Sequence, residues 1–546
     1  DSLITSDLGT RGLLFKTEPY AHDYPFCWRC QTPLIYYAKT SWFFKTTSVK
    51  EKMIAENKKI DWRPEYLKEG RFGGWLEENV DWSNSRERYW GTPLPIWRCE
   101  KCAEIKVVGA LKDLDTLDPL PTTLILMRHG QAEHNAKGLV NPTRPETDAK
   151  NGLTEKGKKE VLASARALKK YSIDAIVSSP ARRAKETAEM VGKTLGVSEI
   201  EIISDLYDIL VEGFEGIREE EFRNSFANLE ERFTKKPRGA ENFRELRQRA
   251  MKAAAYIRKK YRGKTVLAVS HGDPIWLLQA ALEGKEEREY AKIPYPTKTA
   301  GVVKVALHNW PYNHEGELDL HKPFIDSIQL SCATCKGSMK RISEVADVWF
   351  DSGSMPYASL HYPMENRELF KKRFPADYIC EAIDQTRGWF YTLLAVSSLL
   401  GLPAAYKRVV SLGLVLDEKG EKMSKSRGNV VDPNVLFEKY GADAVRWYFF
   451  TVNQPWDDKL FREENVRGAL RGFLLILWNS FAYWKTYSGS MKHEARNTKK
   501  ENASGFKFQV TSPKLVINKW ILAKWQEALG EVTEHLEHYG MVEAAR

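Results

Sequence analysis

The chain has 546 residues, too many for one hydrophobic core, so roughly three or four domains are expected. Hydrophobic residues make up 42% and aromatic residues 12%, which excludes a disordered chain. The net charge of +10 would suit an acidic partner such as a nucleic acid, but residues 123–312 hold 34 Lys+Arg against 26 Asp+Glu, so the excess is concentrated there and the rest is close to neutral.

In chain order, the start shows no basic segment followed by an apolar run, so no signal peptide is read and a cytoplasmic, monomeric protein is expected. Six of the seven cysteines form Cys-x-x-Cys pairs: Cys27/Cys30, Cys99/Cys102 and Cys332/Cys335. Such a pair offers two thiolates to a tetrahedral zinc, and two pairs complete a structural site; a redox dithiol is the alternative. Residues 123–127 read as a buried strand delivering Arg128-His129-Gly130, and residues 265–270 as a second one delivering His271-Gly272-Asp273. Between them, residues 156–170 read as a helix whose mixed charges are solvated rather than a phosphate- or nucleic-acid-facing surface. Tyr378-Ile379-Cys380 reads as a strand end followed by Glu381, Asp384 and Gln385, with Cys380 a packed core thiol. The longest apolar run, residues 389–405, contains Ser397, Ser398, Gly401 and Pro403 and reads as a buried helix ending at Gly401, with no membrane span. A turn at Asp417-Glu418-Lys419-Gly420 leads into Lys422-Met423-Ser424-Lys425-Ser426, and from Asp458 onward the spacing becomes helical.

Cys102 and Cys332 are 230 residues apart, far beyond an ordinary zinc ribbon. Removing residues 122–313 leaves about 40 between them, which suits one ribbon. The expectation is that Cys99, Cys102, Cys332 and Cys335 share a zinc and that a whole domain is inserted between the two halves. The ends of that domain, near Thr122 and Asn313, are then expected to lie close together. Cys27 and Cys30 remain without partners, which are expected upstream of this sequence.

Two lysines flanking Met423-Ser424 suit neutralisation of a triphosphate during attack at its α-phosphorus; a solvated Lys/Ser loop is the other reading. With Pro25 to Cys30, Ser85 to Gly91, Asp347 to Ser354 and Asp384 to Phe390, this loop resembles the isoleucyl type of class I aminoacyl-tRNA synthetases, over residues 1–121 and 314–546. The resemblance implies a Rossmann-type catalytic core with zinc-bearing insertions, then an α-helical anticodon-binding bundle. It implies ATP with Mg2+, isoleucine and tRNA(Ile) as ligands. Lys422, Ser424 and Lys425 would serve the ATP phosphates. Glu381, Asp384 and Gln385 would contact the aminoacyl-adenylate, or else simply be acidic residues favoured at a helix N-terminus. Ala382 stands where the family usually has Gly. Trp75 and Trp90 are read as core residues rather than substrate-pocket walls. The family's His-x-Gly-His motif and most of its proofreading domain are not found. An internal fragment that cannot make isoleucyl-adenylate alone is therefore expected.

Residues 122–313 resemble the histidine phosphatases, relatives of phosphoglycerate mutases. The resemblance rests on Arg128-His129-Gly130, the Ser178 to Thr187 stretch and Ser270-His271-Gly272-Asp273 taken together. It implies that His129 is the phosphoryl-accepting nucleophile. Arg128, Arg183 and His271 would hold the phosphate. Asp208 fills the place of the usual glutamate that protonates the leaving oxygen, one methylene shorter. Ala132 replaces a Thr common in the family. No metal is expected in this site, and its phosphorylated substrate is not readable.

The resulting fold class is α/β: a Rossmann-type synthetase core with a zinc ribbon, interrupted by a second α/β phosphatase domain, followed by a helical bundle. The expected divisions are 1–20 (editing-domain edge), 21–121 (core and first ribbon half), 122–313 (phosphatase insert), 314–457 (second ribbon half, core and lysine loop) and 458–546 (bundle). The function expected is isoleucine–tRNA ligation with a phosphatase-like insert. The alternatives are a phosphatase on a non-functional synthetase carrier, and a tRNA-binding module without catalysis.

Overall fold

The computed structural model describes all residues except 1, 28–29, 36–37, 118–119, 141–150, 212, 215, 297, 425–427 and 488–515. Its largest sheet has five strands, in the order Val302–Leu307, Thr122–Arg128, Thr265–Ser270, Ala175–Ser178, Ile200–Ile202. All pair in parallel except Val302–Leu307, which runs antiparallel along the edge of Thr122–Arg128. Successive side chains of a strand point to opposite faces, and a parallel sheet buries both. Accordingly Leu124 and Leu126 pack with Ala250, Ala254, Ile257 and Leu278 on one face. Ile125 and Met127 pack with Val161, Ala165, Ala188 and Val191 on the other. The helices so held are Phe243–Lys260 and Gly272–Leu282 on the first face, and Glu155–Leu168 and Arg182–Leu195 on the second. The result is an α/β/α sandwich.

The ends of this unit meet. Thr122 is the register partner of Leu307, so the chain enters and leaves on adjacent antiparallel strands. Both connections then reach one small antiparallel sheet, ordered Leu330–Ser331, Ser338–Arg341, Ile96–Cys99, Ile105–Val107. Its two halves come from either side of the five-stranded unit, with Met339 opposite Cys99. The Trp97 indole N–H donates to the Ile328 carbonyl across the same seam at 2.9 Å.

The second core lies under a parallel three-stranded sheet, Ile379–Ala382, Arg408–Leu412, Asp61–Arg63. Trp62, Phe72, Phe390 and Leu394 fill it, and the helix Trp389–Leu399 is buried along most of its length. That helix ends at Leu400, with Gly401 at φ 79° beyond it. Gly353, on the helix Val348–Ala358, sits where an added Cβ would come within 2.9 Å of the Thr392 carbonyl, so two helices approach at backbone distance there. The C-terminal helices include Leu475–Tyr487, Val516–Glu537 and Met541–Ala545. Among the described residues no helix is long and apolar enough to cross a membrane.

Two expectations are corrected. Cys380 is half-buried rather than a core thiol, because it stands near the sheet's carboxyl edge beside Tyr378; burial still pushes its thiol up. Trp90 is 69% exposed and stacks on His321 at 4.8 Å, instead of entering a core. Trp75 is partly buried against the second core, with Arg387 over its ring.

Candidate active sites and metal centre

Arg128 and Ser270 are register partners at the ends of adjacent parallel strands, so His129 and His271 emerge side by side at the sheet's carboxyl edge. Their rings are 5.1 Å apart, and both are essentially buried. Arg183, fully buried on the first turn of Arg182–Leu195, lies between them. Its Nε donates to His129 Nε2 at 3.1 Å, and one terminal nitrogen donates to His271 Nδ1 at 2.9 Å and Asp208 Oδ2 at 3.1 Å.

These bonds fix the proton positions. Arginine can only donate, so His129 Nε2 and His271 Nδ1 must both present lone pairs. The remaining protons then lie on His129 Nδ1, donating to the Gly130 carbonyl at 2.7 Å, and on His271 Nε2, donating to Ser179 Oγ at 2.8 Å. Burial, followed by the Arg183 charge, holds both imidazoles well below their usual range, so both are neutral near pH 7. A neutral imidazole is a nucleophile once its Nε2 lone pair turns from the Arg183 N–H to phosphorus.

Asp208 reaches this group despite its short side chain, standing 3.5 Å from His271 Nδ1. Burial raises its carboxyl and outweighs the pull of Arg183, with Asp273 adding to the rise. Its side chain keeps 20% exposure, at the edge of the cavity. Arg128 donates to the Pro296 carbonyl at 2.8 Å and lines a cavity of about 90 Å³ with His129, Asp208 and His134.

Sequence reasoning missed part of this wall. His134, on the helix Glu133–Lys137, has its ring 6.0 Å from that of His129, and burial followed by Arg183 pushes it down to about 3. Its place five residues after His129 was the only signal. Asp273 accepts from Tyr295 Oη at 2.7 Å and from Arg232 at 3.2 Å; neither partner carries a motif. Ala132, in place of the family's Thr, is buried, and its N–H is capped by Asn135 Oδ1.

The second site is more open. Glu381 lies on the last strand turn of Ile379–Ala382, opposite Ser411, and is exposed, as is Asp384. Gln385 accepts from the Trp389 N–H at 2.9 Å through Oε1, which a Cβ on Gly388 would approach to 2.5 Å. Lys422 bridges to Leu416, and its side chain is exposed. The Ser424 N–H donates to Asn429 Oδ1, and Asn429 in turn donates to Asp417, so a side-chain brace shapes the loop's start. Lys425 and Ser426 lie outside the described residues.

The four sulfurs of Cys99, Cys102, Cys332 and Cys335 all lie within 4.8 Å of one another. Cys99–Cys335 is 3.4 Å and Cys102–Cys332 is 3.6 Å. A tetrahedral zinc with ~2.3 Å bonds needs sulfurs about 3.8 Å apart, so the donor set fits zinc. The N–H groups of Lys101 and Gly337 point at Cys99 and Cys335, which suits thiolates. Cys27 and Cys30 join no such cluster among the described residues.

Residues 11–125 and 301–460 match the family model for tRNA synthetases class I (I, L, M and V). This chain belongs to the class I tRNA synthetases. Residues 124–313 match the model for the histidine phosphatase superfamily, branch 1, so this synthetase carries a histidine phosphatase domain within it. It is 32% identical over 549 residues to an isoleucine–tRNA ligase of Dehalococcoides mccartyi, which covers all of this chain and 34% of the relative. It is 31% identical over 543 residues to that of Thermus thermophilus, covering 100% and 33% respectively. The synthetase chain thus spans about a third of the length of the curated relatives it matches. Similar solved structures include "Mycobacterial hydrolase 1", 23% identical with TM-score 0.31, covering 34% of this chain and 92% of that one. Another is Bacillus stearothermophilus YhfR, 27% identical with TM-score 0.29, covering 36% and 98%.

Proposed function

We propose that this synthetase serves isoleucine–tRNA ligation and that residues 122–313 form an inserted phosphomonoesterase working through a phosphohistidine. The observation that carries the second part is the pair of neutral imidazoles fixed by the buried Arg183. In the first step His129 Nε2 bonds to phosphorus as the ester P–O bond breaks, and Asp208 gives its proton to the leaving alkoxide. Arg128, Arg183 and His271 balance the charge on the phosphoryl oxygens. In the second step water attacks the phosphohistidine, Asp208 takes its proton, and His129 Nε2 leaves with its lone pair restored. The raised Asp208 carboxyl is suited to the acid role.

For the ligase part, Lys422 and Lys425 would neutralise ATP phosphates while isoleucine attacks the α-phosphorus. Glu381, Asp384 and Gln385 would orient the adenylate before transfer to tRNA(Ile). The support is the relatives' name and the placement of the acidic residues at a parallel sheet's carboxyl edge. We assign the four-cysteine cluster to a structural zinc, which supplies folding energy and no chemistry.

The test is phosphate release from a panel of phosphate monoesters, with His129→Ala beside the parent. Release that falls by at least about a thousandfold in the variant supports the phosphohistidine. Equal release from both overturns it. For the ligase, charging of tRNA with valine but not isoleucine would overturn the specificity.

A further inference from the structure

The phosphoryl cavity does not end at its own rim. Three of its lining residues, Arg223, Arg232 and Tyr295, also line a second cavity of about 370 Å³. The remaining walls of that outer chamber are Phe226, Leu229 and Asn228. A phosphate seated beside His129 therefore has room behind its ester oxygen for a sizeable alcohol arm.

The charge state of the shared partition decides what that arm can be. Two arginines would ordinarily suggest a second anionic group. Here each already holds one carboxylate. Arg232 is paired with Asp273 at 3.2 Å, and its guanidinium carbon lies over the Phe243 ring, 3.9 Å from the centroid. Arg223 is paired with Glu219 at 2.6 Å, one helical turn away. An anionic arm would meet arginines whose charge is already balanced by a carboxylate, and Glu219 and Asp273 line the inner cavity to repel it. Tyr295 is also committed, since its hydroxyl donates to Asp273, leaving its ring as wall. What the outer chamber offers freely is apolar and aromatic surface from Phe226, Leu229 and the Tyr295 ring.

We infer that the insert selects phosphate monoesters whose alcohol arm is bulky, uncharged and aromatic, with Phe226 and Leu229 as specificity-determining residues. This rests on the phosphatase reading of His129, and the experiment keeps the two separable. Ethyl phosphate and 2-phenylethyl phosphate have leaving alcohols of similar acidity, so they differ in the arm and little in intrinsic reactivity.

With the full chain, KM for 2-phenylethyl phosphate should be about tenfold or more below that for ethyl phosphate, the scale of burying one aromatic ring. Phe226→Ala and Leu229→Ala should each erase most of that advantage, raising KM for 2-phenylethyl phosphate more than KM for ethyl phosphate, with circular dichroism and melting curves reporting the fold. Equal KM values for the two esters in the parent, or an advantage untouched by both variants, would overturn the inference while leaving the phosphatase reading in place. So would a preference for 3-phosphoglycerate over 2-phenylethyl phosphate, since it would show that the arginines recruit a second anion. Hydrolysis that survives His129→Ala would instead remove the underlying reading. Calorimetric binding of both esters to the His129→Ala protein tests the inference even without turnover, and equal affinities would refute it.

Discussion

The two candidate sites in this synthetase sit at the same topological place, the carboxyl edge of a parallel sheet, and are built in opposite ways. In the insert, His129, His271 and Asp208 are tied together through the buried Arg183, so protons and lone pairs are assigned before any substrate arrives. In the synthetase core, Glu381, Asp384 and Lys422 stand exposed, while Gln385 and Asn429 are held by hydrogen bonds. On the proposed functions, the difference follows from where the charge comes from. A phosphomonoesterase must bring its own nucleophile, acid and cations, and desolvation makes them effective. A ligase brings together three substrates that carry much of the reactive charge, so its protein groups can wait in water.

This contrast can be broken most severely at Arg183. Arg183→Ala leaves two imidazoles and a carboxylate without their shared donor. It should cut phosphate release by at least about a thousandfold and cost about 3–5 kcal/mol of insert stability, read from melting and denaturant curves. A variant that melts like the parent would show that the wiring is not structural. Next in size is the ribbon. Cys332→Ser should abolish metal binding, read by elemental analysis, and lower the melting temperature, because the ribbon joins the halves of the host. Unchanged metal content would refute the four-sulfur site.

Acidification should act more gently, and on the insert first. His129 and His271 have depressed folded values, so their contribution to stability is full above about 6.5 and is lost as pH falls below it. Phosphate release has an opposite limb. Asp208 is raised, so its acid form persists above the usual carboxyl range and is lost as pH rises further. The rate should therefore decline as pH rises above the usual carboxyl range, and Asp208→Asn should remove that decline along with most of the rate. The smallest effect on the insert should come from Lys422→Ala, which should leave phosphate release and melting unchanged. A change in phosphate release would show that the two sites communicate.

Much of this was legible in the sequence for a physical reason. His129 and His271 each follow a run of buried strand residues, so the register of the strands nearly determines their meeting point. The cysteine spacing likewise makes sense only once 190-odd residues are set aside, and Met339 opposite Cys99 is the structural counterpart of that arithmetic. Arg232, Tyr295 and His134 were not legible, because they reach the site from loops and short helices by tertiary packing, with no local pattern to mark them. Trp90 misled for a related reason: a tryptophan is apolar enough to suggest a core, yet here it covers His321 at the surface.

The pairing of Thr122 with Leu307 has a mechanical consequence. Tension on the host that separates the insert's entry and exit would load the Thr122–Arg128 and Val302–Leu307 ladder from its open end, one rung at a time, like a zipper. Shear across a sheet must break many bonds together, whereas unzipping breaks them singly. The insert should therefore yield at low force while the cysteine-clamped ribbon beneath it still holds, and a pulling experiment would read the two units as separate steps.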